Sequence, residues 1–163
     1  MRVNLNCLLL SLCTCMVMFP ADAAVTVSFV KSDGYTDTGR FGREADAAMQ
    51  EIEAHLKYLG ERYLPPNLLL KIEVLDIDLA GRRPFSIRFG ADTRILDGRA
   101  DWPRIKLHYV LEFGNRVLDD RQENVTDMGY LLHPNGKYAA QSLPHEKRML
   151  DEWFRQRFVT DRP

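Results

Sequence analysis

The chain has no cysteine beyond residue 15, since Cys7, Cys13 and Cys15 are the only three. A protein that loses this N-terminal stretch has no thiolate nucleophile, no redox-active cysteine pair and no cysteine ligand for zinc. It also has no disulfide, so packing alone must hold the domain together. The remaining length of about 140 residues is sufficient for a single domain with a substantial apolar core.

The chain also lacks an excess of positive charge, with 22 Lys and Arg against 23 Asp and Glu and a net charge of −1. A nucleic-acid-binding domain needs a basic face, so we expect no nucleic-acid partner. The sequence contains no glycine-rich phosphate-binding motif and no G-x-S-x-G motif of serine hydrolases. We therefore expect no cofactor, and no recognised nucleophile is present.

No hydrophobic run is long enough to cross a membrane. Residues 7–19 are uncharged and mostly apolar, but thirteen residues span only about 20 Å of helix against a hydrocarbon core of about 30 Å. Arg2 precedes this run, and Pro20 and a small-x-small pattern ending at Ala23 follow it. The order predicts a signal peptide, residues 1–23, cleaved between Ala23 and Ala24. The mature chain would be periplasmic or secreted, with no membrane span after cleavage.

Two alternatives to cleavage at Ala23 involve the same segment. One is a retained membrane anchor, which the short apolar run disfavours. The other is a lipoprotein, in which Cys13 or Cys15 would carry acyl chains. Leu12 and Thr14 precede these cysteines, outside the usual Leu-small-Gly/Ala-Cys context. A signal peptide is therefore the favoured interpretation.

The hydrophobic pattern predicts a single α+β domain over residues 24–163. Period-2 alternation predicts strands, and three- and four-residue spacing of apolar side chains predicts helices. The strands are predicted at 25–31, 67–80, 85–89, 104–113 and 116–126, and the helices at 45–63 and from 144 onward. The expected architecture is a two-layer sandwich, with a mainly antiparallel sheet of four to five strands and both helices on one face.

Several local features refine this prediction. The alternation in the second strand changes parity near Leu75, which indicates a β-bulge. Gly60 and the prolines that follow residue 64 are expected to end the first helix, and Ser142 is expected to cap the last one. Alternation places Phe113 on the inner face before a two-residue turn at Gly114-Asn115. The polar strand after this turn is predicted to be an edge strand.

Asp76 and Asp78 are the strongest metal-site candidates. Side chains two residues apart on a strand point the same way, so both carboxylates would face a shared cation. The favoured alternative is hydration or pairing with Arg82, Arg83 or Arg88, because a two-ligand spacing does not complete a six- to eight-oxygen site. A zinc site built from His133, His145 and a carboxylate is a weaker possibility, because the spacing matches no zinc motif.

Two loop segments are the candidates for ligand binding. Tyr35-Thr36-Asp37 and Trp102-Pro103-Arg104 each combine an aromatic ring with charge in a loop, where binding residues concentrate. Core packing is the alternative role for the aromatic rings. Tyr35, Asp37, Trp102 and Arg104 are therefore the predicted binding residues.

Several segments, in order along the chain, resemble a family of small exported bacterial proteins, the domain of unknown function 3016. The segments are residues 25–29, 35–37, 76–81, 103–105, 127–130 and 146–154. The resemblance covers nearly all of the predicted mature chain and implies a bacterial envelope protein. It implies no activity and no catalytic residue.

These observations predict an exported, non-enzymatic binding module whose partner is an envelope protein or a small ligand. The alternative is a metal-dependent hydrolase that uses Asp76, Asp78 and a histidine. A hydrolase requires ligands that converge in one cleft, so the coordinates bear on the choice.

Overall fold

A computed structural model describes residues 24–39, 42–82 and 94–160. It contains four strands, β1 Ala24–Phe29, β2 Leu68–Asp78, β3 Arg104–Phe113 and β4 Arg116–Thr126, and two helices, α1 Arg43–Tyr63 and α2 Pro144–Arg155. A π-helical turn, Gln156–Thr160, continues α2. The predicted α+β class is confirmed. The strand predicted at 85–89 lies outside the described residues.

The four strands form one sheet in the order β1-β2-β3-β4. β2 pairs with β3 and β3 with β4 in antiparallel ladders, whereas β1 pairs with β2 in a parallel ladder. The parallel pair arises because α1 carries the chain back to the end of the sheet at which β1 began. The sheet is therefore mixed, with antiparallel pairing in the majority.

The core lies between one face of the sheet and the two helices. Alternate residues of β2 and β3 point into it, and each helix contributes one apolar face. Fully enclosed members include Leu70, Val74, Ile105, Leu107, Tyr109, Ile52, Leu56, Leu59, Leu150 and Phe154. Each such aliphatic side chain contributes about 1.5–3 kcal/mol on burial. Phe113 has the inward parity but is 53% exposed, because it is the last residue before the hairpin turn, at the margin of the sheet.

The predicted β-bulge is confirmed at Leu75. Val74 pairs with Leu107 and Asp76 pairs with the adjacent Lys106, so Leu75 has no counterpart on β3. The extra residue reverses the parity of the strand beyond it. Ile77 is consequently buried, and Asp76 and Asp78 face away from the helices. We call this helix-free side the outer face of the sheet.

Gly60 does not end α1, contrary to expectation. It lies inside the helix, where an added Cβ would be only 2.0 Å from Val25 Cγ2. The glycine therefore permits α1 to pack closely against β1. The helix ends at Tyr63, since Leu64 is extended, as residues before proline usually are, and donates its N–H to Gly60 O.

Ser142 does not cap α2, again contrary to expectation. Pro144 is the first helical residue as predicted, but the N-cap is Leu143 in a left-handed conformation, with no side-chain cap. The Ser142 hydroxyl instead lies 3.5 Å from Lys147 Nζ. The Glu146 carboxylate accepts a hydrogen bond from the Ala80 N–H, so it joins the helix start to the end of β2.

Among the described residues, no helix has the length and apolarity to cross a membrane.

Candidate functional site

A cleft of about 450 Å³ opens on the outer face of the sheet, lined by Thr36, Asp76, Asp78, Arg104, Lys106 and Asn124. We call it the outer cleft. Strand register assembles most of it, because Arg104 lies opposite Asp78 and Lys106 lies between Asp76 and Asn124. Thr36 comes from the loop after β1. The cleft thus contains both predicted metal ligands and one of the four predicted binding residues.

Asp76 anchors the loop that forms one wall of the outer cleft. Its carboxylate accepts a hydrogen bond from the Thr36 N–H at 2.7 Å and a second from the Thr36 hydroxyl at 2.8 Å. The Ile77 N–H donates a third at 2.9 Å. Three donors satisfy most of the accepting capacity of this carboxylate. Asp76 therefore serves first to hold the loop.

Asp78 forms an ion pair with Arg104 across β2 and β3. Arg104 Nε donates to Asp78 Oδ2 at 3.0 Å, and a second hydrogen bond comes from Arg104 Nη2. The guanidinium carbon lies 5.6 Å from the centre of the Trp102 ring, which is a cation–π distance. Trp102 thus restricts Arg104, which in turn neutralises Asp78.

Tyr35 and Asp37 support the outer cleft without lining it. Asp37 rejoins the edge of β2, because its N–H donates to Ile77 O at 2.8 Å and its carbonyl accepts from the Leu79 N–H. Its carboxylate pairs with Arg94 at 2.7 Å. The Tyr35 hydroxyl donates to Val74 O at 2.6 Å, beside the bulge, and burial raises the pKa of Tyr35 to about 12. These two predicted binding residues therefore support the loop that borders the cleft.

The outer cleft presents donors that are not already engaged. Its two carboxylates balance its two cations, but the carboxylates are bound by Thr36 and Arg104. Within the described part of the chain, the side chains of Lys106 and Asn124 have neither a hydrogen-bond nor an ion-pair partner. An ammonium offers three N–H donors and an amide offers two. The available chemistry is recognition of a group rich in hydrogen-bond acceptors.

Across residues 24–39, 42–82 and 94–160, no three His, Cys, Asp or Glu side chains are placed to hold one metal ion. Asp76 and Asp78 share a face as predicted, yet each is bonded to another group. His108 lies on the same face, with Nδ1 3.3 Å from Glu73 and Nε2 2.8 Å from Asp120. These carboxylates are on opposite sides of the ring. The hydrogen bond with Asp120 raises the pKa of His108.

The other histidines have separate surroundings. His133 Nδ1 lies 3.7 Å from Asp127 Oδ1, and the His145 ring packs edge-on against Tyr130 at 4.9 Å between centres. His133 also lines a second depression of about 330 Å³ between β4 and α2. We call this depression the edge groove. The structure therefore assigns the two histidines of the zinc hypothesis to different contacts.

Sequence reasoning missed Lys106 and Asn124 as cleft residues, and it named Thr36 only as part of the segment 35–37. Lys106 and Asn124 reach the cleft through strand pairing, and Thr36 reaches it through its hydrogen bonds with Asp76. Strand parity did place Lys106 on the solvated face. Its position opposite Asp76 required the register of β2 against β3, which the bulge shifts by one residue.

Comparison with known proteins gives one family. Residues 23–156 match the family described as "Protein of unknown function (DUF3016)", which is well over half of the chain. No curated protein and no solved structure matches the chain. The match agrees with the resemblance drawn from the sequence segments.

Proposed function

The chain belongs to the DUF3016 family, and we propose that it is an exported, non-enzymatic binding protein of a bacterial envelope. The pattern of residues 1–23 supports export, and the family match begins beside the predicted cleavage point. One observation carries the binding role. The outer cleft holds its carboxylates in internal contacts and leaves the Lys106 ammonium and the Asn124 amide as donors.

The ligand that suits this cleft is a small polar molecule with a carboxylate. A carboxylate placed between Lys106 and Asn124 would gain a charge-assisted hydrogen bond from the ammonium. Arg104 offsets the charge of Asp78, and the two hydrogen bonds from Thr36 occupy lone pairs of the Asp76 carboxylate. The cleft volume of about 450 Å³ lies within the range of small-molecule sites.

Two sugars that differ in the presence of a carboxylate test the binding role. We expect galacturonate to shift the backbone amide resonances of residues 104–106 and 124 in an ¹⁵N-labelled mature chain, and galactose to shift them far less. Lys106→Ala should remove the response. Lys71→Ala is the matched control, because Lys71 is a lysine of the same face that pairs with Glu112 at 2.9 Å. Equal responses to both sugars would contradict the proposal.

The hydrolase alternative is less well supported by the geometry. It needs Asp76, Asp78 and a histidine on one cation, whereas Arg104 binds Asp78 and His108 lies between Glu73 and Asp120. A thermal unfolding series with Zn²⁺, Mn²⁺ and Ca²⁺ separates the two functions. The binding proposal expects the same midpoint with and without each ion. A shift that Asp76→Asn abolishes would favour the hydrolase.

Export has its own test. Intact-mass measurement of the protein from an envelope fraction should give a chain that begins at Ala24, without lipid. A chain that begins at Cys15 and carries acyl groups would show a lipoprotein instead. Retention of the first 23 residues would contradict signal cleavage.

A further inference from the structure

β4 is the last strand of the sheet and runs over eleven residues, Arg116–Thr126. Among the described residues it pairs with β3 alone, so its second side is a row of backbone donors and acceptors. Such an edge is a template on which another strand can pair. Natural proteins usually protect an edge of this length with charge, a bulge or a covering element. β4 has one bulge near its start, at Leu118, which has no counterpart on β3, so its regular part begins at Asp119.

The charges of β4 are engaged with their own chain. Asp119 Oδ2 accepts from the Tyr109 hydroxyl at 2.8 Å, and Asp119 also pairs with Arg121. Asp120 lies against His108. Glu123 accepts from Trp153 Nε1 at 2.8 Å and pairs with Arg157. These bonds hold the charged groups on the two faces of the sheet, and the backbone of the open edge has no strand partner among the described residues.

Symmetry selects one way for a second copy to pair there. In an antiparallel ladder, residues directly opposite each other have side chains on the same side of the sheet. If a two-fold axis relates the two strands, the axis must therefore pass between one residue and the same residue of the second copy. Like charges directly opposite each other are unfavourable. Of the five central residues 119–123, four are charged, and only Gln122 meets its counterpart without repulsion.

The register centred on Gln122 is also complementary beyond the axis. It places Arg121 opposite Glu123 of the second copy and Asp120 opposite Asn124 of the second copy, each twice. The regular overlap covers residues 119–125, because Leu118 is a bulge. Registers centred on residue 119, 120, 121 or 123 bring two like charges together on the axis.

The edge groove is a second observation at the same place. β4 and the residue after it contribute Glu123 to Asp127 to its lining, and the α2 side contributes Met149, Glu152, Trp153, Gln156 and Arg157. The buried side chains of Met149 and Trp153 therefore border an opening of about 330 Å³ where the sheet ends. A second copy on β4 would extend the sheet past this opening and cover it.

We propose that two copies of this chain pair through antiparallel β4 strands with Gln122 on the two-fold axis, which gives a continuous eight-stranded sheet. The pairing brings Asp120 of the second copy beside Asn124, which lines the outer cleft. The two outer clefts then lie on the same face of one sheet. The inference is independent of the ligand proposed for that cleft.

The predicted mature chain has no cysteine, so an introduced cysteine reports the register directly. Residues directly opposite in an antiparallel ladder have Cα atoms about 4.5–5.5 Å apart, within the range of a disulfide. We expect the mature Gln122→Cys chain to form a covalent dimer under glutathione oxidation. The control is Asn115→Cys, in the exposed hairpin turn outside the overlap, which should form no covalent dimer.

Light scattering with size-exclusion chromatography provides the non-covalent test. Gln122 is exposed, so Gln122→Lys should leave the monomer folded while it places two ammonium groups on the axis. We expect a dimeric wild-type mature chain and a dimer Kd raised about fivefold by this substitution, with Gln122→Ser unchanged. A monomeric wild type, or cross-linking no faster at residue 122 than at residue 115, would overturn the proposal.

Discussion

Thr36 and Asp76 are joined by two hydrogen bonds, one from the backbone N–H and one from the hydroxyl of Thr36 to the two oxygens of the same carboxylate. The contact connects the loop after β1 to the residue that follows the bulge of β2. A wall of the outer cleft therefore depends on two segments forty residues apart in the chain.

Replacement of Asp76 by alanine should loosen this wall. The variant leaves the two Thr36 donors without their acceptor, and we expect a loss of about 1 kcal/mol in the free energy of unfolding, since the contact is solvent-exposed. Urea unfolding of the mature chain measures it. Asp76→Asn retains an acceptor for the Thr36 N–H and should lose less. Equal stability of the wild type and both variants would contradict the anchoring role.

Gly60→Ala should destabilise the protein, although alanine is the better helix former by about 1 kcal/mol. The added Cβ would lie 2.0 Å from Val25 Cγ2, so either the Val25 side chain or the helix must shift. Overpacking of this kind costs about 1–3 kcal/mol. Thermal unfolding gives the value, and Gln50→Ala, on the exposed side of α1, is the helix control.

A second substitution identifies the cause of the Gly60→Ala effect. Val25→Ala removes the methyl groups that the new Cβ would meet. Val25→Ala should therefore reduce the free energy of unfolding less in the Gly60→Ala variant than in the wild type, or should even increase it. If the effects of the two substitutions are simply additive, the contact between residues 25 and 60 is not the reason for the glycine.

Acid should weaken the fold through His55. Its Nε2 lies 2.9 Å from Lys147 O in the core, and burial lowers the pKa of His55 to about 4. The unfolded chain binds a proton near pH 6.5 and the folded chain does not, so stability falls as the pH decreases from about 6.5 to about 4. The loss attributable to His55 should be about 3 kcal/mol.

Comparison with His55→Gln isolates this contribution. Glutamine can still donate to Lys147 O but does not titrate. The stability of the variant relative to the wild type should therefore increase as the pH is lowered from 6.5 to 4. The carboxylates titrate in both proteins, and their effects cancel in the difference. A constant difference over this range would show that His55 is not the titrating group.

The sequence predicted those features that depend on local periodicity. The parity change at Leu75 located the bulge, and the bulge in turn placed Asp76 and Asp78 on one face. β3 and its turn at Gly114 followed from regular alternation. The prediction from local signals was wrong at Gly60, which was expected to end α1. The glycine is instead explained by its close approach to Val25, a residue distant in the sequence.

The composition of the outer cleft could not be predicted in the same way. Thr36, Lys106 and Asn124 are ordinary polar residues in the sequence, and they become neighbours of Asp76 only through the pairing of separate segments. The parallel pairing of β1 with β2 has the same origin. Strand order depends on packing of the whole domain, which alternation within one strand does not encode.

The binding role of the outer cleft is the central claim, and calorimetric titration of the mature chain with galacturonate tests it most directly. We predict measurable binding to the wild type and to Lys71→Ala, and a loss of affinity of about tenfold or more in Lys106→Ala, as expected for removal of a charge-assisted hydrogen bond. The same affinity in Lys106→Ala and the wild type, or no binding to the wild type, would contradict the account.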